Sequence, residues 1–273
     1  MTLDDNHRPG LLRLGAVNYL NSKPLVHGLQ ERLPQDSVRF DLPSRLADSL
    51  AAGRLDIALI PCVEVLRNPD YRIISDACVA ANGPVLSVKV YFRKPPKQVR
   101  TLALDEGSRT SAALAQVLLA NRFDLRPELV DLPIGCGSES VDADAVLLIG
   151  DRAMLPARES FVDEWDLSGE WRAETGLPFV FACWAARRDL PADAIAEANI
   201  ASILNQTRDA GVAAIDEIAV RESRLLGIDS DYAINYLQNN LHYHLGPDEL
   251  QGLRLYAQHC ERLGLLAGAD APR

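Results

Sequence analysis

A polar turn near the start of the chain carries two side-chain amides. The turn spans residues 18–23, follows the apolar run at residues 11–17, and contains Asn18 and Asn21. A side-chain amide has two N–H donors and a carbonyl acceptor, so either residue can hold a carboxylate or a hydroxyl. The alternative is a structural role, in which the amide closes an Asx turn or caps a helix that begins near Pro24. The turn is therefore a candidate site for a small polar ligand.

A second polar turn has the composition of an anion site. Residues 107–111 read Gly-Ser-Arg-Thr-Ser and stand directly before a predicted helix. The N–H groups at a helix N-terminus, the hydroxyls of Ser108, Thr110 and Ser111, and the guanidinium of Arg109 all favour a negative charge. Ser108 can equally act as a helix cap, and the two roles are compatible. If this turn binds a carboxylate, Thr110→Ala should weaken ligand binding and leave stability nearly unchanged.

Other charged and aromatic residues have two interpretations each. Lys23 and Lys89 are possible counter-ions for an anion, although lysines are commonly exposed and unbound. Three acidic residues at or just beyond predicted strand ends are interpreted as structural acceptors: Glu64, Asp105 and Asp151. Four aromatic residues are candidates for a ligand-site wall, with core packing as the default: Trp171, Phe179, Phe181 and Trp184.

Cysteine and histidine spacing gives no indication of a metal site. The 5 cysteines are widely separated and include no Cys-x-x-Cys pair. His242 and His244 are two residues apart, which suits one face of a strand and not a metal-binding pair on a helix. We therefore predict no metal, and we interpret the cysteines as reduced thiols that are mostly buried.

The composition is that of a globular protein with an acidic surface. The chain has 273 residues, of which 48% are hydrophobic and 24% charged, and its net charge is −10. Such a charge argues against nonspecific nucleic-acid binding, which depends on basic surfaces. The longest apolar stretches, such as residues 55–61, are far shorter than the roughly 20 residues of a membrane-spanning helix. Acidic residues near the N-terminus are unlike a signal peptide, so we expect a cytoplasmic protein.

Apolar runs alternate with amphipathic segments along the chain, which predicts an α/β fold. Short apolar runs are predicted strands at residues 11–17, 37–42, 55–61, 101–104 and 145–150. Predicted helices follow the first strand from Pro24 and the second strand at residues 43–53. Both polar turns thus follow strands, and ligands of α/β proteins bind at the carboxyl ends of strands.

Two longer extended segments are predicted to cross between two structural units. They are residues 83–93 and 177–185. In the first segment alternate residues share a face, and Ser87 lies on the face away from the core. The Lys-Pro-Pro-Lys sequence at residues 94–97 is where a boundary is expected.

The crossings predict two α/β lobes, joined by two strands, with a ligand cleft between them. The first lobe is discontinuous and comprises residues 1–93 and 179–273, including the C-terminal helices. The second lobe is inserted and comprises residues 94–178. Two lobes that close over a cleft can exclude water from a bound ligand.

Several segments, in order along the chain, carry a common resemblance. The opening Gly-Ala-Val-Asn-Tyr-Leu-Asn-Ser-Lys-Pro-Leu lies at residues 15–25. The later segments are residues 53–61 with Glu64, 83–87, 105–111, 145–151, Trp171 followed by 176–182, and 232–245. Together they resemble the chorismate dehydratase family of menaquinone biosynthesis, which opens the futalosine route. The resemblance covers nearly the whole chain except its first ten and last few residues.

This resemblance implies a periplasmic-binding-protein type II fold and an enzyme without metal or organic cofactor. The family removes water from chorismate, a dianionic small molecule, to give 3-[(1-carboxyvinyl)oxy]benzoate. Loss of the hydroxyl and a neighbouring ring proton makes the ring aromatic, so the enzyme mainly has to orient the substrate and stabilise charge. Neither nucleic acid nor membrane insertion is expected.

The resemblance also implies roles for individual residues. It assigns catalysis to Asn21 and Ser87, with Asn18 as the second choice in the first turn. Together with the chemistry of the second turn it predicts substrate binding by five residues: Asn18, Ser108, Arg109, Thr110 and Ser111. Neither catalytic residue is a base at neutral pH, and the nearby His27 lies inside a predicted helix. We therefore expect the enolpyruvyl carboxylate of the substrate, which hangs from the carbon bearing the proton, to accept it.

Three alternatives stay open at this point. A non-catalytic solute-binding protein shares the fold, but the N-terminus does not resemble an export signal. A ligand-sensing regulatory domain is a second alternative, disfavoured because no basic patch or helix-turn-helix pattern is evident. The third is 1,4-dihydroxy-6-naphthoate synthase, which shares the fold and opens with a Ser-Pro-Cys-Pro-Asn type of motif that this sequence lacks.

Overall fold

Two mixed β-sheets form the framework of the protein. The computed structural model describes residues 12–33, 37–157, 159–193 and 199–267. The first sheet has the strand order β11-β4-β10-β3-β1-β2 and the second β7-β6-β8-β5-β9. The strands are β1 (Leu14–Val17), β2 (Val38–Asp41), β3 (Ile57–Pro61), β4 (Tyr71–Ala81), β5 (Val88–Phe92), β6 (Thr101–Asp105), β7 (Glu128–Leu132), β8 (Ala145–Ile149), β9 (Asp163–Asp166), β10 (Phe179–Arg187) and β11 (His242–His244).

Helices cover both sheets. The α-helices are α1 (Leu29–Arg32), α2 (Pro43–Ala51), α3 (Cys62–Arg67), α4 (Thr110–Phe123), α5 (Leu167–Thr175), α6 (Ile200–Ala213), α7 (Ile215–Leu226), α8 (Ser230–Asn235) and α9 (Pro247–Arg262). Short 3₁₀ turns span Leu20–Leu25, Pro96–Gln98, Ser138–Ser140 and Gly150–Met154, and a π-helical turn spans Tyr236–Asn240. One large apolar core runs through both sheets, and a smaller cluster around Tyr91 and Val146 lies on the second.

The first sheet contains the parallel arrangement that the sequence predicts. Strand β1 pairs in parallel with both β2 and β3, and the five residues of β3 are all buried. The sheet continues through β10 and β4, which run antiparallel to their neighbours. The long strand β4 has no counterpart among the predicted strands, because its apolar residues do not form one short run.

The helix predicted from Pro24 is wrong. Pro24 lies inside a 3₁₀ turn, Leu20–Leu25, and the α-helix begins only at Leu29. Gly28 separates the two, with a left-handed φ of 69° that an α-helix does not accept. The polar turn after β1 is therefore a tight coil above the sheet and not the start of a long helix.

The strand Val88–Phe92 belongs to the second sheet, whereas the expected boundary at residue 93 places it in the first lobe. It pairs antiparallel with β8, with Val88 opposite Ile149 and Phe92 opposite Ala145. An alternating pattern predicts a strand but does not identify its partner, which explains the difference. The division of the chain into two domains stays a prediction.

The first predicted crossing strand is broken by a turn. Gly83 has φ 139° and Leu86 has φ 62°, and regular strand geometry starts only at Val88. The carboxylate of Asp166 accepts hydrogen bonds from the backbone N–H groups of Val85, at 2.9 Å, and Leu86, at 2.6 Å, which stabilises the turn. The chain therefore passes from the first sheet to the second through a loop whose conformation is held by hydrogen bonds to Asp166.

The return segment is also different from the prediction. Strand β10 lies wholly in the first sheet, where it pairs with β3 and β4. The return passage runs through α5 and the residues after it. The C-terminal helix α9 packs against β10 of the first sheet and also against α4, which contacts β8 of the second sheet, and the hydroxyl of Tyr256 donates to the carbonyl oxygen of Thr110 at 2.9 Å. The elements around the two sheets therefore share contacts beyond the two chain passages.

Candidate functional site

A cavity lies where strands of both sheets end. It holds about 500 Å³ of empty space, counting the part open to solvent. Val17, Pro61 and Ile149, the last residues of β1, β3 and β8, line it together with the turn at residues 107–111. The carboxyl ends of strands are the usual ligand position in α/β proteins, so this cavity is the candidate site.

Asn21 lines the cavity from the first polar turn. The backbone of this turn is held by other residues: Ser22 Oγ lies 2.9 Å from the carbonyl oxygens of Val17 and Tyr19, and Asp151 Oδ1 accepts from Leu20 N–H at 3.0 Å. The amide of Asn21 has no hydrogen-bond partner among the described residues. It is half-buried, positioned, and available to a ligand.

Asn18 lies outside this cavity wall. It is exposed, and its side-chain oxygen accepts a hydrogen bond from Lys23 Nζ at 2.8 Å. Lys23 in turn pairs with Glu222 at 3.1 Å. The structure thus distinguishes the two amides of the turn, because of the two only Asn21 lines the cavity.

The second polar turn also reaches the cavity. All five of its residues line the wall, and the turn leads into α4, a helix of 14 residues. The first turn of a helix leaves its N–H groups without intrahelical partners, and the dipole there favours an anion. The hydroxyls of Ser108 and Ser111 make no hydrogen bond with a described residue. These groups together can bind a carboxylate.

Arg109 has carboxylate partners within the protein. Its guanidinium contacts Asp48 at 2.6 Å and Glu64 at 3.4 Å. Both acids belong to helices of the first sheet, α2 and α3. Arg109 therefore ties the start of α4 to the opposite side of the cavity, and its charge is already compensated before a ligand arrives.

The Thr110 hydroxyl is committed to the protein, which changes the expectation for this residue. Thr110 Oγ1 donates to the carbonyl oxygen of Phe181 at 3.1 Å and accepts from Val63 N–H at 3.3 Å. The side chain is buried, and its partners belong to β10 of the first sheet and to α3, which follows β3 of that sheet. Its hydroxyl is thus a structural bridge, and only the backbone of Thr110 remains for a ligand.

Replacing Thr110 with valine should lower stability and not substrate binding. The loss of two buried hydrogen bonds from a side chain of similar shape should reduce the free energy of unfolding by about 1–3 kcal/mol. The matched variant Ser111→Ala removes a hydroxyl that has no partner in the described protein, so it should raise KM and leave the melting temperature nearly unchanged. Thermal denaturation and steady-state kinetics of both variants check this. Unaltered stability of Thr110→Val would contradict the bridge.

Tyr19 is a cavity residue that sequence reasoning missed, although it stands between the two amides. Its ring lies so close to Gly150 that a Cβ there would be 3.0 Å from Cε1, and Gly150 itself has φ 65°. Burial, and next the charge of Asp105, raises the pKa of Tyr19 to about 12. The phenol therefore stays protonated at neutral pH and can donate to a ligand. Only its proximity to Asn21 in the sequence could have indicated it.

Ser87 lies directly behind the cavity wall. It is fully buried, and it is not one of the wall residues. Two of its neighbours do line the wall. Val88 follows Ser87 in the chain, and Gly150 N–H donates to the Ser87 carbonyl oxygen at 2.9 Å. Its side chain pairs with Tyr236, whose hydroxyl lies 2.7 Å from Ser87 Oγ. Sequence reasoning did not identify Tyr236, since 149 residues separate the two.

The remaining charged candidates accept or donate within the protein. Asp105, buried at the end of β6, accepts from Gly107 N–H at 2.9 Å and pairs with Arg152. Burial raises its pKa, and Arg152 opposes that rise. Lys89 pairs with Glu164 at 2.7 Å, away from the cavity wall. Of the four candidate aromatic residues, Phe181 lines the cavity; Trp171, Phe179 and Trp184 are buried core residues.

The described residues contain neither a metal-binding cluster nor a membrane-spanning helix. No group of three histidine, cysteine, aspartate or glutamate side chains in that part of the chain is arranged to hold a metal ion. Among the same residues, no helix is both long enough and apolar enough to cross a membrane.

Comparison with known proteins agrees with this architecture. A protein of Archaeoglobus fulgidus has a similar structure, with a TM-score of 0.73 at 17% identity, covering 95% of this chain and 100% of the other. The periplasmic aliphatic sulphonate-binding protein of Escherichia coli has a TM-score of 0.60 at 12% identity, covering 94% of this chain and 89% of the other. The fold is therefore that of the periplasmic binding proteins, as the resemblance in the sequence implies.

Sequence comparison identifies the family. A chorismate dehydratase of Thermus thermophilus is 33% identical over 275 residues, which cover 92% of this chain and 95% of that protein. The family model described as menaquinone biosynthesis matches residues 12–262. The chain belongs to the menaquinone biosynthesis family.

Proposed function

We propose that this protein is a chorismate dehydratase that releases water from chorismate to form 3-[(1-carboxyvinyl)oxy]benzoate. The observation that carries the proposal is the identity of 33% with the chorismate dehydratase of Thermus thermophilus over nearly the whole length of both chains. The cavity supports it, because it offers hydrogen-bond donors to a small anion from two turns at once. In class, the reaction makes this enzyme a carbon–oxygen lyase.

The two polar turns that line the cavity bind different groups of the substrate. The N-terminus of α4, with Ser108 and Ser111, holds one substrate carboxylate through N–H groups and hydroxyls. Asn21 and Ser87 hold the enolpyruvyl carboxylate and the leaving hydroxyl. Ser87 is buried behind Val88 and Gly150, so in this proposal that part of the wall opens when the substrate binds and admits the Ser87 hydroxyl.

The elimination forms a second bond between two ring carbons. The carbon that carries the enolpyruvyl ether loses its proton, and the electron pair of that C–H bond becomes the new π bond. The neighbouring carbon loses its hydroxyl, which leaves as water together with the proton taken from the first carbon. The ring becomes aromatic, so the protein has to align the groups and stabilise the charge that develops.

The proton acceptor in this proposal is the substrate's own enolpyruvyl carboxylate. Among the described wall residues, the titratable side chains are Tyr19 and Arg109. A phenol with a pKa of about 12 is protonated at neutral pH, and a guanidinium has no proton-accepting site. A carboxylate attached next to the reacting carbon acts at high effective concentration and needs no side-chain base.

The purified protein should convert chorismate to the aromatic product without any added cofactor. We expect Asn21→Ala and Ser87→Ala to lower kcat by about 100-fold, since each removes a donor that acts in the transition state. Asn18→Ala is the matched control and should stay within about 2-fold of the parent, because Asn18 does not line the cavity and its amide oxygen is bound by Lys23. Product formation is followed by its ultraviolet absorption and by mass spectrometry.

A solute-binding or ligand-sensing protein of the same fold is the competing function. It would bind chorismate and return it unchanged after long incubation, whereas a dehydratase consumes it. Absence of turnover, together with calorimetric binding, would therefore overturn the proposal.

We also propose that the enzyme works in the cytoplasm. The five cysteines are all free thiols, and reduced thiols are typical of that compartment. Cell fractionation followed by immunodetection tests the assignment, which a periplasmic signal would overturn.

A further inference from the structure

A buried pair of hydroxyls links the C-terminal part of the chain to the proposed catalytic serine. Tyr236 Oη lies 2.7 Å from Ser87 Oγ, and both side chains are 0% exposed. We infer that Tyr236 is a positioning residue, which holds the Ser87 hydroxyl so that its proton is directed to the bound substrate. The inference rests on the proposed function, because it takes Ser87 as a group that contacts chorismate.

A count of protons supports this role. The two hydroxyls carry two O–H donors, and one hydrogen bond joins them. The Tyr236 hydroxyl donates to Ser87 Oγ, and burial raises the pKa of Tyr236, so the phenol keeps the proton that this hydrogen bond needs. The Ser87 proton is then left over, and no described residue accepts it. A hydroxyl that accepts one hydrogen bond is also a stronger donor for the next, which suits a group that stabilises a departing hydroxyl.

The same C-terminal turn holds the backbone of the loop that carries Ser87. Tyr236 begins the π-helical turn Tyr236–Asn240, and at the other end of that turn Asn240 Nδ2 donates to the carbonyl oxygen of Pro84 at 2.8 Å. The π-helical turn directly continues α8 (Ser230–Asn235), and single π-helical turns in helices occur frequently at functional sites. The π-helical turn therefore forms hydrogen bonds both with the Ser87 side chain and with the backbone at the start of its loop.

The loop is strained between these contacts, which indicates that its shape is required. Leu86, next to Ser87, has a left-handed φ of 62°, a conformation that costs a non-glycine residue free energy. Asp166 stabilises this conformation by accepting a hydrogen bond from Leu86 N–H at 2.6 Å. The position of Ser87 is thus set by Asp166, at the end of β9, and by the C-terminal π-helical turn, and Ser87 does not belong to a regular strand.

The decisive variant is Tyr236→Phe, which removes the hydroxyl and keeps the ring. We expect kcat to fall by about 10-fold or more and KM to change by less than about 3-fold, since the interaction acts in the transition state. The double variant Ser87→Ala/Tyr236→Phe should be no slower than Ser87→Ala alone, because without the serine there is nothing left to position. A purely structural tyrosine would instead add its own loss to that of Ser87→Ala.

Tyr243→Phe is the matched control. Tyr243 is also a buried tyrosine of the C-terminal segment, and its hydroxyl has no hydrogen-bond partner in the described protein. Its kinetics should equal those of the parent. Parent-like kcat in Tyr236→Phe, or losses that multiply in the double variant, overturn the inference while leaving the proposed function intact. A parent protein that does not convert chorismate overturns both.

A second variant covers the case in which Tyr236→Phe does not fold. Incorporation of 3-fluorotyrosine at position 236 keeps the hydrogen bond and makes the phenol a better donor. We expect kcat to rise with a melting temperature close to that of the parent. An unchanged kcat in a folded fluorotyrosine protein overturns the inference.

Discussion

An analogue of chorismate whose enolpyruvyl carboxylate is replaced by a neutral amide should bind to the protein and remain unconverted. A carboxylate held beside the proton gives an effective concentration that no external base matches, so its removal should reduce single-turnover rates by at least about 1000-fold. The described wall residues supply no alternative base, because the Tyr19 phenol is protonated and Arg109 carries no basic atom. Rapid mixing with detection of the aromatic product measures the rate.

The control is the isomeric analogue with the amide on the ring carboxylate. It keeps the proposed proton acceptor, so it should lose affinity and retain most of its turnover at saturation. Normal turnover of the side-chain amide would show that a protein group takes the proton. His27 and Glu64 would then be the first residues to replace, although Glu64 is paired with Arg67 at 2.8 Å.

Removing Arg152 should destabilise the protein more than any change in the exposed surface. Its partner Asp105 has a fully buried side chain that also accepts from Gly107 N–H, at the start of the second polar turn. Arg152→Met leaves this carboxylate buried without its cation, which should lower the free energy of unfolding by about 3 kcal/mol at pH 7. Chemical denaturation measures the loss. Because Asp105 also binds Gly107 N–H, the second polar turn should be less well ordered in this variant.

The pH dependence of that loss tests its cause. Burial raises the pKa of Asp105 in the folded protein, so its stabilising contribution is present at low pH and lost as the pH rises through the folded-state pKa. Without Arg152 that pKa should rise further. The deficit of Arg152→Met should therefore be large at pH 7 and shrink at acidic pH, as Asp105 takes up a proton. Adding Asp105→Asn should recover part of the stability at pH 7; an equal deficit at both pH values would contradict the ion-pair explanation.

Much of this site can be read from local sequence. Each polar turn follows a short apolar run, and the alternation of runs and amphipathic segments predicts strands that end at the turns. The structure places both Asn21 and residues 107–111 on one cavity wall. The order of motifs along the chain also indicates the family that the comparisons identify. These features are local in the chain, or depend only on order, so they need no knowledge of distant contacts.

The roles of individual hydroxyls depended on tertiary contacts. Thr110 looks like a ligand donor in its turn, but Phe181 and Val63 use its hydroxyl from the other side of the cavity. Ser87 looks like a strand residue, but the left-handed Leu86 and the distant Tyr236 place it in a buried loop. A hydroxyl bonds whichever partner the fold brings within about 3 Å, and a repeating pattern carries no information on that partner. The sequence by itself therefore determined several short strands, the positions of the two polar turns and the family, whereas only the tertiary structure decided how the strands pair and which polar atoms are left for a substrate, because strand partners and hydrogen-bond satisfaction are set by residues far apart in the chain.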